Sequence, residues 1–260
     1  RDGTIYASYI DMGTFRSSDQ GLTWKQLFAG GHFAGGNAET VAVHPQTGEV
    51  FVSVESGKTL SSVNRGLDFV ETLNKRANHI AVAFDGSVYA ATDDGVFVRS
   101  AGQWNQAGDI QSVNAIVTSG GVVYAGNDQG VWMLDQGQWR LVFGLSGMIP
   151  GGLVIDASGA RLLAATNAAV YQWDGQKLTA RYAAHDVQSI KNNGSTVYVK
   201  SRTKGLWRST DFGTTWKDVT DGVYRDGYER GLIVDPENPN IVYYGSKCMG
   251  VFKRDFGKNP

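Results

Sequence analysis

The chain has 260 residues, 42% hydrophobic and 19% charged, enough apolar material for a sizeable core and too much for a disordered chain. A formal net charge of −1 and the lack of any Lys/Arg run give no electrostatic reason for a nucleic-acid partner, and no apolar run approaches a membrane span, so no membrane insertion is expected. Cys248 is the only cysteine, which excludes an internal disulfide and a metal site built on several thiolates, while 34 Gly against 5 Pro read as many tight turns.

One unit recurs along the chain: a short apolar run, a small polar turn and a second apolar run. Its runs are rich in Val, Tyr, Phe, Ala and Trp, so each copy reads as a β-hairpin. The first copy is YASYIDMGTFRSS from Tyr6, followed by a further strand, TWKQL, at 23–27. The second unit opens with TVAVHP at 40–45, continues with FVSVESGKTLSS from Phe51 and closes with DFVETL at 68–73. The third comprises HIAVAFD at 79–85, YAATDDGVFVRS from Tyr89 and QWNQA at 103–107. The fourth has NAIVTSG at 114–120, YAGNDQGVWMLD from Tyr124 and QWRLVF at 138–143. The fifth has GLVIDAS at 152–158, LAATNAAVYQWD from Leu163 and KLTARY at 177–182. The sixth has QSIKNNG at 188–194, YVKSRTKGLWRS from Tyr198 and TWKDV at 215–219, and the seventh has GLIVDP at 231–236 and YYGSKCMGVFKR from Tyr243. The copies start 35 to 45 residues apart. Four strands per unit at that spacing predict an all-β, seven-bladed β-propeller of four-stranded antiparallel blades, a single domain over 1–260.

The terminal blades are expected to be incomplete. Blade one lacks a first strand and blade seven a fourth, and these cannot complete each other because they belong to different blades. An unpaired inner strand leaves backbone groups unsatisfied. The pattern therefore predicts that a longer natural chain, or a second chain, supplies the missing strands.

A second motif sits in the turn between the third and fourth strands. Ser17-Ser18-Asp19-Gln20-Gly21-Leu22-Thr23-Trp24 and Ser209-Thr210-Asp211-Phe212-Gly213-Thr214-Thr215-Trp216 both fit S-x-D-x-G-x-T-W. A worn copy follows Ser62 and holds Asn64, and blade seven ends in Asp255-Phe256-Gly257. The Asp carboxylate is expected to accept hydrogen bonds from its own turn, the Gly to take a positive φ and the Trp to bury its ring between blades. Ser17, Asp19, Gly21, Trp24, Asn64, Ser209, Asp211, Gly213, Trp216 and Asp255 are thus read as structural, and Asp19 and Asp211 not as catalytic acids.

This phrase is the Asp-box, or BNR repeat, and the whole chain resembles Asp-box β-propellers; GLIVDPENPNIVYYGS at 231–246 also resembles the first two strands of xyloglucanase-type blades. The resemblance implies a propeller and an exported location, whether secreted, periplasmic or cell-surface. Its activities span sialidases, xyloglucan hydrolases, sortilin-type receptors and assembly factors, so function must be argued from residues. The sialidase site needs an arginine cluster, a Tyr–Glu pair and an Asp, but the Phe-Arg-Ile-Pro phrase of that signature is absent. Xyloglucanase-type enzymes place one catalytic Asp on each of two propellers. Here Y-I-D-M-G at 9–13 resembles the motif that carries the first, which puts Asp11 in the catalytic slot if the chain is a hydrolase.

His32, His44, His79 and His185 lie at no metal-ligand spacing, and there is no P-loop, dinucleotide fingerprint or nucleophile elbow, so neither metal nor cofactor is expected. His44, before Pro45, reads as a solvated turn residue. Asn193-Gly194-Ser195 fits a glycosylation acceptor.

A ligand is expected on the rim opposite the Asp-boxes. The turns between second and third strands there read Asp11, Glu55, Asp93 with Asp94, Asp128, Asn167, Arg202 with Lys204, and Lys247: acidic in blades one to four, basic in six and seven. Two long loops, 29–39 and 221–231, add His32, Phe33, Tyr224, Arg225 and Tyr228 beside blade one. With Arg202, Lys204 and Lys247 these form the expected contact surface for a glycan or protein partner. The chain is read as a non-catalytic binding propeller, with a glycoside hydrolase, or an assembly factor or surface-structure subunit, as alternatives.

Overall fold

The structure, a computed structural model, describes residues 3–9, 13–28, 38–145, 149, 151–183, 186–221, 231–246 and 250–258. All their regular structure is β-strand, in seven antiparallel sheets, and the fold is a seven-bladed β-propeller with three-stranded first and last blades. No helix among the described residues is long and apolar enough to cross a membrane. The chain divides into two compact units, Arg1–Gly121 with Leu134–Arg140, and Val122–Met133 with Leu141–Pro260.

The first unit holds blade one, β1 (Ile5–Tyr9), β2 (Gly13–Ser17) and β3 (Lys25–Phe28), in the order β1-β2-β3. Blade two follows as β4 (Ala38–Val43), β5 (Val50–Val54), β6 (Lys58–Ser62) and β7 (Val70–Leu73), and blade three as β8 (His79–Val82), β9 (Val88–Thr92), β10 (Gly95–Ser100) and β11 (Gln103–Gln106). Each sheet runs in chain order, because short turns can join only antiparallel neighbours. Strand β5 shows how the blades are held. Val50, Val52 and Val54 pack with Tyr6 and Leu60, whereas Phe51 packs with Ile80, Val88 and Ala90 of blade three. Period-two alternation sends successive side chains to opposite faces, and here both faces meet a neighbouring blade, so β5 is apolar throughout. Burying the Phe51 ring completely contributes about 2–3 kcal/mol.

The fourth sheet has the order β12 (Ala115–Ser119), β13 (Val122–Gly126), β14 (Gly130–Asp135) and β15 (Gln138–Gly144).

The second unit continues with blade five, β16 (Gly152–Ile155), β17 (Leu162–Ala165), β18 (Val170–Trp173) and β19 (Leu178–Tyr182). Blade six is β20 (Val187–Asn193), β21 (Thr196–Ser201), β22 (Gly205–Ser209) and the short β23 (Lys217–Asp218); blade seven is β24 (Leu232–Val234), β25 (Ile241–Ser246) and β26 (Gly250–Asp255). Strand β21 repeats the logic of β5: Val197 and Val199 join the cluster of blades five and six, and Tyr198 joins that of blades six and seven.

One expectation is corrected. His44 is buried, not solvated. Its Nδ1 accepts the backbone N–H groups of Gln46 and Thr47, each at 3.3 Å, which leaves Nε2–H to donate to the Gly86 carbonyl of the next blade at 3.0 Å. The ring thus caps one turn and ties it to another, a role that Pro45 in the sequence does not reveal.

Candidate functional site

The Asp-box turns are built by interlocking hydrogen bonds. In the first, Ser17 Oγ donates to Asp19 Oδ1 at 2.7 Å and accepts the Gly21 N–H at 2.8 Å. Asp19 then accepts the Thr23 N–H on Oδ1 at 2.9 Å and the Thr23 hydroxyl on Oδ2 at 2.5 Å. The same bonds recur in blade six, where Ser209 serves Asp211 and Gly213, and Asp211 accepts the N–H and hydroxyl of Thr215 at 2.8 and 2.6 Å. The turn needs two successive positive φ values: 58° at Gln20 and 90° at Gly21, and 55° at Phe212 and 82° at Gly213. The first falls on a side-chain-bearing residue, and only the staple around it makes that backbone state persist.

These bonds set the electrostatics. Hydrogen bonds from the Thr23 side chain and backbone, then from Ser17, hold Asp19 at a pKa of about 2. Burial pushes Asp211 up, but the bonds from Thr215, Ser209 and Thr214 outweigh it and leave that carboxyl at about 2 as well. Such groups stay ionised and occupied, unsuited to general acid chemistry.

The box also reaches outside its own blade. Phe212 is fully buried in the cluster with Val154 and Leu163 of blade five, its carbonyl accepts Gln172 Nε2 at 2.7 Å, and the Arg161 guanidinium lies 4.9 Å over its ring. Trp216 packs against the same cluster, half-buried. Trp24 is also half-buried and donates its indole N–H to the Gly21 carbonyl at 3.1 Å. In blade seven, Asp255 accepts the Gly257 N–H at 2.9 Å, but Phe256 lacks the positive φ seen at Gln20 and Phe212. Asn193 donates its side-chain amide to the Asp235 and Pro236 carbonyls, so the nitrogen that would carry a glycan is already engaged.

Of the residues expected on the opposite rim, Asp11, His32, Phe33, Tyr224, Arg225, Tyr228 and Lys247 lie outside the described residues, as do His185 and Cys248. No group of His, Cys, Asp or Glu suited to a metal ion occurs among the described residues. The acidic turn of blade three is not bare: Lys75 Nζ lies 2.5 Å from Asp94, Arg76 lies 3.6 Å from Asp93, and Asn78 donates to Asp93 at 2.8 Å. Reading the rim turn by turn left out these cations, which sit on the loop entering the blade.

Arg202 and Lys204 occupy the turn after β21 and reach over the loop that enters blade six. The Arg202 N–H donates to the Asp186 carbonyl at 3.1 Å, and its Nη2 lies 3.3 Å from the Asp186 carboxylate. Asp186 itself stands at φ 60° and donates its N–H to Asn167 in the turn of blade five. Lys204 Nζ donates to the Ala183 carbonyl at 3.2 Å, while the Lys204 carbonyl accepts the Trp207 indole N–H at 2.9 Å. Trp207 lies 4.7 Å from the ring of Tyr182, the residue before Ala183. Burial pushes the Tyr182 phenol up strongly, with Asp218 adding to the rise, so it is neutral at any physiological pH. The cations thus share one sector with an aromatic pair. Strand alternation says only that Trp207 and Tyr182 sit on one sheet face or the other, so neither stood out in the sequence.

Comparisons with known proteins agree with this architecture. A family profile described as BNR-Asp box repeat matches residues 206–219, across the blade-six box. No curated protein matches the chain in sequence. Among solved structures, a GH74 enzyme of Niastella koreensis superposes with a TM-score of 0.76 at 17% identity, over 98% of this chain and 51% of that one. An ancestral GH74 enzyme gives 0.71 at 17%, over 94% of this chain and 42% of that one. The extracellular domain of a hybrid two component system of B. thetaiotaomicron gives 0.76 at 12%, over 97% of this chain and 36% of that one. The chain therefore spans about half the length of the first and less of the other two, and at such identities the likeness concerns the fold alone. The profile match falls on a turn whose hydrogen bonds recur in blade one, and on these grounds the chain is a β-propeller that carries Asp-box (BNR-repeat) turns.

Proposed function

We propose that the chain is an exported, non-catalytic propeller that binds a glycan or protein partner through its inter-blade loops and the turns between second and third strands. The observation that carries this reading is the placement of Arg202 and Lys204, pinned by hydrogen bonds over the loop entering blade six with the Lys204 side chain exposed. Charged side chains held on loops by a rigid sheet framework make a binding surface without a folding step at the moment of contact. The extracellular setting named for the two-component-system domain supports export.

The experiment has two arms. Hydrolysis of aryl glycosides and xyloglucan is expected to be absent; turnover that disappears in Asp11→Ala would replace this reading by a glycoside hydrolase. Binding to a panel of soluble glycans is expected to weaken in Arg202→Ala, Lys204→Ala and Lys247→Ala. Binding unchanged in all three would remove the rim from consideration.

A further inference from the structure

The sector around Lys204 joins two kinds of chemistry. Its ammonium is tied to the Ala183 carbonyl and its own carbonyl to the Trp207 indole, so one residue fixes the distance between a cationic and an aromatic element. Half-buried Trp207 lies over Tyr182 with centroids 4.7 Å apart, and Tyr182 packs in turn on Trp216 at 5.7 Å and on the buried cluster of blades five and six, which leaves Trp207 as the outer ring of the stack. Arg202 meets Asp186 through Nη2 at 3.3 Å, with the two side chains 37% and 41% exposed. An ion pair that exposed contributes little to stability, so its arginine can exchange the Asp186 carboxylate for a ligand's acid group at small cost. Planar guanidinium groups suit carboxylate and sulfate oxygens, and an aromatic face suits the C–H surface of a pyranose ring.

We propose that the blade-six turn is a subsite for an acidic glycan, with a sugar ring against Trp207 and its carboxylate or sulfate on Arg202 and Lys204. This inference rests on the binding reading above and narrows it to a ligand class. An acidic peptide would use the two cations but has no need of the Trp207 ring, which is why a glycan is favoured.

The test is equilibrium binding of the whole chain to four soluble probes: polygalacturonate, a sulfated galactan, an unsulfated galactan and polyglutamate, each at low and at high ionic strength. Binding to either acidic glycan is expected to exceed that to the neutral galactan and to fall with salt. The two acidic probes separate carboxylate from sulfate. Arg202→Gln with Lys204→Gln is expected to weaken acidic-glycan binding about tenfold or more, the loss of one or two charge-assisted hydrogen bonds. Trp207→Leu is expected to weaken it several-fold and Trp207→Phe to retain it, with thermal melts confirming that each variant is folded. Equal binding of the neutral galactan, still lost in the Arg202/Lys204 variant, would overturn the acidic ligand and leave the binding reading standing. Polyglutamate binding as tightly as the glycans, with Trp207→Leu silent, would make the partner an acidic protein. No binding to any probe would overturn the acidic-glycan subsite, while the broader binding reading stands or falls on the Arg202, Lys204 and Lys247 variants above.

Discussion

Asn64 and Asp68 are a reversed copy of the pair that closes the other two boxes. In blades one and six the acceptor is Asp and the donor is the Thr four residues later. In blade two Asn64 donates its side-chain amide to Asp68 Oδ2 at 2.9 Å and accepts the Asp68 N–H on Oδ1 at 3.0 Å. Ser62 keeps its place, donating to Asn64 Oδ1 and accepting the Gly66 N–H, both at 2.8 Å. The backbone follows, with φ of 61° at Arg65 and 82° at Gly66. Asn64 keeps the oxygen that accepts the backbone N–H and gains an amide that Asp68 accepts, so the turn is preserved with side-chain donor and acceptor at exchanged ends.

The coupling can be measured. Asn64→Asp alone puts two carboxylates face to face and is expected to cost about 1 kcal/mol of stability. Adding Asp68→Thr rebuilds the Asp–Thr pair of the other two boxes and is expected to recover that loss. A double-mutant cycle by urea denaturation checks it, and additive single effects would show that the two residues are independent.

Acid stability follows from the depressed carboxylates. An ordinary Asp titrates near 4 when unfolded. A carboxyl held at about 2 in the folded state stabilises the protein above the unfolded value, and the contribution is lost as pH falls toward the folded value. Melting temperature is therefore expected to drop between about pH 4 and about pH 2, and Asp19→Asn with Asp211→Asn to flatten that limb. An unchanged slope in the double variant would assign acid sensitivity elsewhere.

Phe212 is a box residue acting as a core residue. Phe212→Ala removes a fully buried ring from the cluster of blades five and six, and a loss of about 3–5 kcal/mol is expected in urea unfolding. Gln20→Ala, at the equivalent position but exposed, is expected to change stability by less than about 0.5 kcal/mol. Similar losses for both would mean that the turn, not the inserted ring, is what Phe212 serves.

Blades two and three share an ion pair shielded from water. Arg99 Nη1 lies 2.8 Å from Glu49 Oε2, the side chains are 21% and 11% exposed, and Glu49 Oε1 is buried with no hydrogen-bond partner among the described residues. Arg99→Met strands the carboxylate and is expected to cost about 3 kcal/mol, whereas Glu49→Gln with Arg99→Met is expected to cost much less. Thermal melts of the two variants decide it, and equal losses would point to the Arg99 guanidinium, which lies 5.4 Å over the Phe51 ring.

Much of the fold was legible in the sequence because a propeller repeats one local problem. Tyr198-Val199-Lys200 and Phe51-Val52-Ser53 had to be strands between Gly-rich turns, and the spacing of the copies fixed the number of blades. The worn box at Asn64 was legible for the same reason, as a departure from a pattern present elsewhere. The candidate site was less so. Arg202 and Lys204 were picked out by charge, but Asp186, Tyr182 and Trp207 come from another loop and other strands. His44 was misread because nothing nearby in sequence indicates Gly86, its partner in the next blade.

By itself, the sequence determined the strands, the turns and the Asp-box staples, since each depends on side-chain alternation, positive-φ glycines and hydrogen bonds within about five residues of chain. Only the tertiary structure decided which carboxylates are neutralised and which cations stand beside an aromatic pair. Those outcomes depend on loops and strands far apart in sequence, brought within about 3–5 Å by blade packing, a range over which charge and hydrogen bonding act and sequence distance carries no information.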